Sequence, residues 1–167
     1  MSRVSAAFEP YPEVDAVWTY LVDRYGLGPA VFAEHCLWHR PGAASIWIAH
    51  QDLAPPEDLR IETVGLVAFR QPLPRGYPSS AFLRRFGAEA TRGCYDVDWP
   101  DALRLMHGQA IPRAPLDERA GPYVVRSPRA VLGRGWLREG QLRLDAPKMW
   151  RQQLMTLAES LPAAAAQ

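Results

Sequence analysis

The chain has 167 residues, 48% of them hydrophobic, which suits one large domain or two small domains with a genuine core. No apolar run approaches the roughly 20 residues of a membrane-spanning helix, and the first residues lack the apolar stretch of a signal peptide. Cys36 and Cys94 lack CxxC spacing, which argues against a secreted disulfide framework and indicates a reducing, cytoplasmic setting.

Charge is distributed unevenly along the chain, although the formal net charge is only +1. Residues 1–69 hold four Arg and nine acidic residues, whereas residues 70–151 hold fourteen Arg, one Lys and eight acidic residues. An acidic front followed by a basic back is typical of nucleic-acid binders, because the basic part can neutralise phosphates. The alternative is a solvated surface in an Arg-rich proteome, which explains the preference for Arg over Lys but not its placement.

An amphipathic helix is predicted near the start of the chain. Its apolar residues recur at helical spacing, at Val14, Val17, Trp18, Leu21, Val22 and Tyr25. Gly26 suits the position just after a helix. Strand-like runs follow at residues 33–40, 45–51 and 60–70, separated by the breaks PGAA and DLAPPED. A helix followed by antiparallel strands predicts a small α+β unit.

The Pro/Gly-rich segment QPLPRGYP, residues 71–78, predicts a domain boundary. It divides the chain into a first domain, residues 1–76, a second domain, residues 77–151, and a C-terminal helix or frayed tail, residues 152–167.

The second domain is predicted to be mostly β. Ser79 or Ser80 can cap a short helix that ends at Gly87, and Asp98 can cap another that ends at Gly108. The predicted strands are GCYDVD, QAIP, GPYVVRSP, RAVLGRGWLRE and QLRLDA, with a tight turn at Glu139 and Gly140 between the last two. Short strands with one inserted helix are typical of a compact barrel.

The glycine-rich strand carries the most chemistry. Strand alternation predicts one face with Leu132, Arg134, Trp136 and Arg138, and the opposite face with Val131, Gly133, Gly135 and Leu137. Paired glycines allow the close approach of either another strand or a ligand. The two arginines could bind phosphates while Trp136 stacks on a base, or Trp136 could be half-buried core.

Residues 121–151, GPYVVRSPRAVLGRGWLREGQLRLDAPKMWR, resemble the C-terminal half of a PUA domain, the RNA-binding module named for pseudouridine synthases and archaeosine transglycosylases. The shared features are the strand VLGRG, the turn REG and an exit strand ending at PK. VGLVAFR, RGYPSSAFLRRFGAEATRGCYDVD and ALRLMHGQAI resemble the start of that domain in RNA cytosine-5 methyltransferases and in two-domain ribosome-biogenesis factors. Residues 21–50 resemble the pre-PUA domain of such factors, so the resemblance covers residues 12–151.

The resemblance implies an α+β protein in which a small N-terminal α/β pre-PUA-like domain precedes a PUA-like β-barrel. It also implies RNA contacts at the glycine loop, where a bare N–H could approach a phosphate, and on nearby basic strands. Relatives often carry Lys-Pro-Thr at the start of the domain, where this chain has Tyr77-Pro78-Ser79 and so lacks a cation. With the basic cluster near that point, the candidate RNA-binding residues are Arg84, Arg85, Arg92, Gly108, Arg134, Trp136, Arg138, Lys148 and Arg151.

No catalytic or cofactor site is predicted. The sequence GLGP at residues 26–29 follows a helix rather than a strand, unlike a cofactor loop. The metal-like cluster HCLWH, with His50 as a possible third ligand, is more typical of surface or half-buried histidines.

The sequence therefore predicts a protein that binds rRNA or tRNA without its own catalytic domain, cofactor or metal, and without membrane contact. It would act as a ribosome-biogenesis or RNA-modification accessory factor beside a separate methyltransferase or ribosomal assembly protein. Two alternatives stay open, namely a small-molecule enzyme on a PUA-like barrel and a protein–protein adaptor that docks through its acidic front.

Overall fold

The computed structural model describes residues 7–55, 61–117 and 121–160. It confirms the α+β class and includes a curled, half-barrel sheet. The chain divides into two compact units, of which the first runs to Arg92 and the second begins at Gly93. Within the described ranges, no helix is both long and apolar enough to cross a membrane.

The first unit contains a four-stranded antiparallel sheet with its strands in chain order. The strands are β1 (Glu9–Pro10), β2 (His35–His39), β3 (Ile46–His50) and β4 (Leu66–Phe69). Strands β2 and β3 confirm the first two predicted runs, whereas β4 occupies only the end of the third run, which was predicted over residues 60–70. Strand β1 was not predicted, because two residues are too short to show an alternating pattern.

Helix α1 (Val14–Tyr25) confirms the predicted amphipathic helix. Its core-facing positions Val17, Leu21 and Tyr25 are buried, as their spacing on one stripe requires. The helix ends at Gly26, whose φ of 65° is left-handed and whose N–H donates to the Val22 carbonyl at 2.8 Å. Glycine adopts this conformation without strain, whereas most residues with a side chain do not.

The predicted boundary after Gly76 is corrected by the packing of helix α2 (Ser80–Phe86). This helix packs against β4, and the Phe82 ring lies 5.9 Å from Phe32 and 6.2 Å from Phe69. Residues 77–92 therefore belong to the first unit, since they supply part of its aromatic core. The Pro/Gly-rich segment is a turn within that unit, in which the Gly76 N–H donates to the Pro72 carbonyl at 2.8 Å.

The second unit contains a five-stranded sheet in the order β5-β7-β8-β9-β6, parallel between β5 and β7 and antiparallel elsewhere. Its elements are β5 (Cys94–Asp96), α3 (Trp99–Met106), β6 (Ile111–Pro112), β7 (Tyr123–Ser127), β8 (Ala130–Arg138), β9 (Gln141–Asp145) and α4 (Lys148–Ser160). The predicted strands and the inserted helix are confirmed. Because β5 and β6 lie at opposite ends of the sheet order, the described strands do not form the closed barrel that the resemblance implies.

Helix α4 begins at Lys148, four residues before the predicted C-terminal segment, and ends at Ser160. It contacts α3, and Met155 packs against the core of the second unit. Residues 161–167 of the predicted tail lie outside the described residues.

Strand β8 does not alternate throughout its length. The pairing register with β7 shifts between Val125 and Arg126, and Gly133 opposite has a φ of 123°. Such a bulge adds one residue to the strand and changes which face the next side chains take. Leu132 is consequently only 1% exposed in the core, which corrects its predicted placement on the face of Arg134 and Trp136.

Candidate nucleic-acid interface

The hairpin of β8 and β9 positions the main candidate residues. Glu139 and Gly140 form its two-residue turn with φ values of 51° and 72°, the left-handed pair that a tight hairpin turn requires. Antiparallel pairing then sets Arg138 opposite Gln141, Trp136 opposite Arg143, and Arg134 opposite Asp145.

These six residues alternate with Gly135, Leu137 and Leu142, which face the core of the second unit. We call the six side chains the outer face of the hairpin: Arg134, Trp136, Arg138, Gln141, Arg143 and Asp145. The predicted grouping of Arg134, Trp136 and Arg138 on one side is confirmed by this register.

Asp145 fixes one end of the outer face. Its Oδ2 accepts hydrogen bonds from Arg134 Nε at 2.9 Å and Nη2 at 2.5 Å, and from Trp136 Nε1 at 3.3 Å. The Arg134 guanidinium lies 5.9 Å from the centre of the Trp136 ring. Asp145 therefore compensates the charge of Arg134, and Arg134 helps to hold the Asp145 carboxylate beside Trp136. The phosphate contact of Arg134 stays a prediction.

An open pocket of about 260 Å³ lies on this face. It is lined by Trp136, Arg138, Arg143, Leu144 and Asp145. The Arg138 guanidinium lies 6.0 Å from the centre of the Trp136 ring, so an aromatic surface and a cation border the same space.

Arg138 and Arg143 differ from the neighbouring arginines of the second unit. Carboxylates bind four of those neighbours at N–O distances of 3.4 Å or less, namely Arg104, Arg113, Arg126 and Arg134. Arg138 and Arg143 have no acidic partner among the described residues, so they are available to an anionic ligand.

Sequence reasoning did not select Arg143 and Asp145 as site residues. The signal was present, because the two-residue turn at Glu139 and Gly140 fixes which residues of β9 oppose Trp136 and Arg134.

The glycines of β8 are explained by packing. A Cβ at Gly135 would collide with the Val125 side chain and lie 3.1 Å from Leu142 Cδ1. Gly133 provides the left-handed conformation of the bulge. The sequence allowed the close approach of either another strand or a ligand at these glycines. The structure shows neighbouring strands there, since Val125 belongs to β7 and Leu142 to β9.

Gly108 ends α3, with a φ of 82°. Its N–H donates to the Leu105 carbonyl at 2.9 Å, which corrects the prediction that this N–H is bare and available to a phosphate. The side chain of Arg151 covers the glycine, since a Cβ there would lie 2.5 Å from Arg151 Nη1. Arg151 Nε is buried and has no hydrogen-bond partner in the described chain, whereas Lys148 is exposed at the start of α4.

Arg84, Arg85 and Arg92 lie in the first unit rather than in the second domain as predicted. The Arg85 guanidinium lies 5.5 Å from the centre of the Phe86 ring. The Arg92 N–H donates to the Tyr25 carbonyl at 3.2 Å beside the end of α1. The structure thus divides the predicted set between two separate units.

The first unit has a pocket of about 570 Å³ beside α2, lined by Ala30, Val31, Glu34, His35, Arg85, Phe86, Ala88 and Glu89. Partial burial, together with the positive charges of Arg85 and His50, lowers the pKa of His35. An imidazole with a lowered pKa, whose buried Nδ1 lacks a described partner, therefore borders this pocket.

The three histidines considered as metal ligands do not lie together, because His35 and His39 are at opposite ends of β2 and His50 is opposite His35. His35 pairs with His50, and their ring centres lie 6.2 Å apart. His39 pairs with Ile46 at the other end of the strand, where its ring contacts Tyr11. Among the described residues, no group of three His, Cys, Asp or Glu side chains could hold a metal ion.

Cys36 and Cys94 are not joined in a disulfide bond. Burial raises the pKa of the Cys94 thiol, which makes it a weaker nucleophile at neutral pH.

The observed boundary changes the interpretation of the charge distribution. Residues 1–92 contain nine Arg and ten acidic residues, a net charge of −1, while residues 93–167 contain ten Lys or Arg and eight acidic residues, a net charge of +2. The strong asymmetry along the sequence is therefore not an asymmetry between the units. The two arginines of the outer face that lack a described acidic partner, Arg138 and Arg143, are a local positive charge that does not depend on the balance between the units.

Residues 7–65 match a family described as "Family of unknown function (DUF7122)". The match lies within the first unit and does not include the hairpin. No curated protein matches the chain.

Proposed function

We propose that the protein binds structured RNA, rRNA or tRNA, through the outer face of the hairpin. The observation that carries this proposal is the pocket bordered by Trp136, Arg138 and Arg143. In it an aromatic ring adjoins two arginines that have no acidic partner among the residues that the structure describes. Stacking on aromatic rings and phosphate contacts from arginine are the two interactions by which proteins bind unpaired nucleotides.

The finer assignment of the fold belongs to the same proposal. We infer that the second unit is a PUA-like module and that the first is its pre-PUA-like partner. This inference is supported by the VLGRG strand, the REG turn and the helix inserted between β5 and β6. The open sheet order and the position of the unit boundary differ from the implied pattern.

In this proposal the protein is an accessory factor for ribosome biogenesis or RNA modification. It works in the cytoplasm with a separate methyltransferase or a ribosomal assembly protein, and supplies RNA affinity rather than catalysis. The reduced state of Cys36 and Cys94 is consistent with a reducing compartment.

The decisive experiment measures the binding of bulk tRNA and rRNA over a range of salt concentrations. Each phosphate contact contributes a log–log slope of about −0.7 on single strands, so three to five contacts predict about −2 to −4. Replacing both Arg138 and Arg143 by Gln should weaken binding of all RNAs and reduce the slope by about 1 to 1.5.

The matched control replaces Arg104 and Arg129 by Gln. These arginines lie in the same unit but outside the hairpin, and their loss changes the net charge equally. An equal loss of affinity in both double variants would show that RNA binding depends only on the net charge of the protein. The absence of RNA binding at low salt would refute the proposed function.

A further inference from the structure

We propose that the pocket on the outer face holds one unpaired nucleobase, stacked on Trp136, and that Asp145 selects bases presenting an amino group. This inference rests on the proposed function, and it adds a base preference to a surface otherwise expected to bind any RNA. The two residues line the same pocket and are joined by the hydrogen bond from Trp136 Nε1 to Asp145 Oδ2.

The two oxygens of Asp145 have different surroundings. Oδ2 accepts the N–H groups of Arg134 and Trp136, which hold the carboxylate in place. Oδ1 accepts no hydrogen bond from the described residues, and the side chain is 45% exposed. One acceptor atom is therefore free at the edge of a fixed carboxylate, beside the aromatic ring.

A carboxylate discriminates between bases by their edges. Guanine, adenine and cytosine each present an exocyclic amino group, a donor that a carboxylate accepts. Uracil has no amino group, and its only donor on that edge lies between two carbonyl oxygens that the carboxylate repels. Guanine adds a ring N–H next to its amino group, so we expect it to bind most tightly and uracil least tightly.

Arg138 and Arg143 fit the phosphates that flank such a base. They line the same pocket as Trp136 and have no acidic partner in the described part of the chain. Their contacts should strengthen binding of every strand equally, since phosphates carry no base identity. Affinity should thus come from the arginines and from stacking on Trp136, and base preference from Asp145.

The test uses the full chain and short oligouridylates that carry a single central guanine, adenine, cytosine or uracil. Fluorescence anisotropy should show the guanine strand binding about tenfold more tightly than the all-uracil strand, the effect of one charge-assisted hydrogen bond. Equal affinities for all four strands, with binding retained, would overturn this inference while leaving the proposed function intact. Loss of binding to every strand would refute both.

The variant Asp145→Asn supplies a sharper readout. The Asn carbonyl can still accept from Arg134 and Trp136, which directs its NH₂ donor towards the ligand. A donor at that position suits the carbonyl oxygens of uracil, so the guanine-to-uracil ratio should fall from about tenfold to about one or below. An unchanged ratio would contradict the assignment to Asp145.

The ratio is insensitive to the loss of one negative charge, which should raise affinity for all strands alike. Arg138→Gln is the matched control, because it should weaken every strand and leave the ratio unchanged. A thermal melt of each variant verifies folding. If Asp145→Asn does not fold, Trp136→Phe keeps an aromatic platform but removes the hydrogen bond to Asp145, and it should also reduce the ratio.

Free nucleoside monophosphates distinguish an RNA strand from a small nucleotide ligand. A strand can place phosphates on both arginines, so it should bind at least about tenfold more tightly than guanosine monophosphate. Equal affinity for the free nucleotide would contradict RNA as the source of the base.

Discussion

Trp136 is only partly buried and lies on the side of β8 opposite the core of the second unit. Two core residues of the same hairpin, Leu142 and Leu132, are 0% and 1% exposed. A tryptophan held by a hydrogen bond to Asp145 but outside the core is better suited to contacting a ligand than to stabilising the fold.

Replacing Trp136 by Ala should therefore affect binding more than folding. Loss of base stacking should cost about 1–3 kcal/mol of RNA affinity. The free energy of unfolding should fall by less than the ~3–5 kcal/mol typical of a fully buried aromatic residue. Paired denaturant melts and binding titrations measure both quantities.

Leu142→Ala provides the comparison, because it deletes a fully buried side chain of the same hairpin. We expect it to lower the free energy of unfolding by about 2–5 kcal/mol. A larger loss of stability from Trp136→Ala than from Leu142→Ala would identify Trp136 as a core residue and contradict its role in binding.

His35 makes the stability of the first unit depend on acidity. Its pKa in the folded chain is lowered by partial burial and by the charges of Arg85 and His50. The unfolded chain therefore binds a proton on His35 more readily than the folded chain does. The free energy of unfolding is not reduced by this effect above the ordinary pKa of 6.5, and it decreases as the pH falls below that value. His35→Gln should flatten the dependence of the melting temperature on pH between about 7.5 and 5.

Arg85→Gln should flatten the same dependence in part, because it removes one of the charges that oppose protonation of His35. A wild-type slope in both variants would show that His35 is not the group responsible.

The turn of the β8–β9 hairpin contains one residue, Glu139, that is poorly suited to the backbone conformation of the turn. Glu139 adopts a φ of 51°, in which most side chains are strained, whereas Asn tolerates it well. Glu139→Asn should therefore raise the free energy of unfolding by about 0.5–1 kcal/mol, as measured by chemical denaturation.

Glu139→Gln separates conformation from charge. It makes the same change in net charge, but Gln lacks the short side chain that supports a left-handed backbone. Equal stabilisation by both substitutions would attribute the gain to charge beside the arginines instead of to the turn.

The elements that the sequence predicted well are those with local signals. The stripe of α1, the Asp98 cap of α3 and the Glu139–Gly140 turn each depend on residues a few positions apart. The bulge that moves Leu132 into the core was not predictable in this way, because it depends on the register with β7. The pairing of Arg134 with Asp145 was predictable only in part. It follows from the two-residue turn, but only after β8 and β9 have both been assigned as strands.

The domain boundary was predicted wrongly because packing between distant residues, and not local sequence, determines it. Pro and Gly at residues 71–78 signal a break in the chain, but they do not say which unit the following helix joins. Phe82 and Leu83, both 0% exposed, determine the answer by packing within the first unit. The boundary also changes the distribution of charge, because residues 70–92, with five Arg and one Glu, belong to the first unit.

This packing predicts how fragments of the chain will behave. A fragment of residues 1–92 should melt cooperatively, because it retains α2 and the contacts of Phe82 with Phe32 and Phe69. A fragment of residues 1–76 lacks that helix and leaves both rings uncovered, so it should lose its cooperative transition and expose apolar surface. Circular dichroism melts with a dye that reports exposed apolar surface distinguish the two.

The substitution Phe82→Ala in the full chain tests the same packing without truncation. It deletes a ring that is 0% exposed in the described structure, so it should lower the free energy of unfolding by about 3–5 kcal/mol. Arg84→Ala on the same helix is the comparison, since it leaves this ring in place, and it should cost less. Cooperative melting of residues 1–76, together with a small effect of Phe82→Ala, would return the boundary to Gly76 and the helix to the second unit.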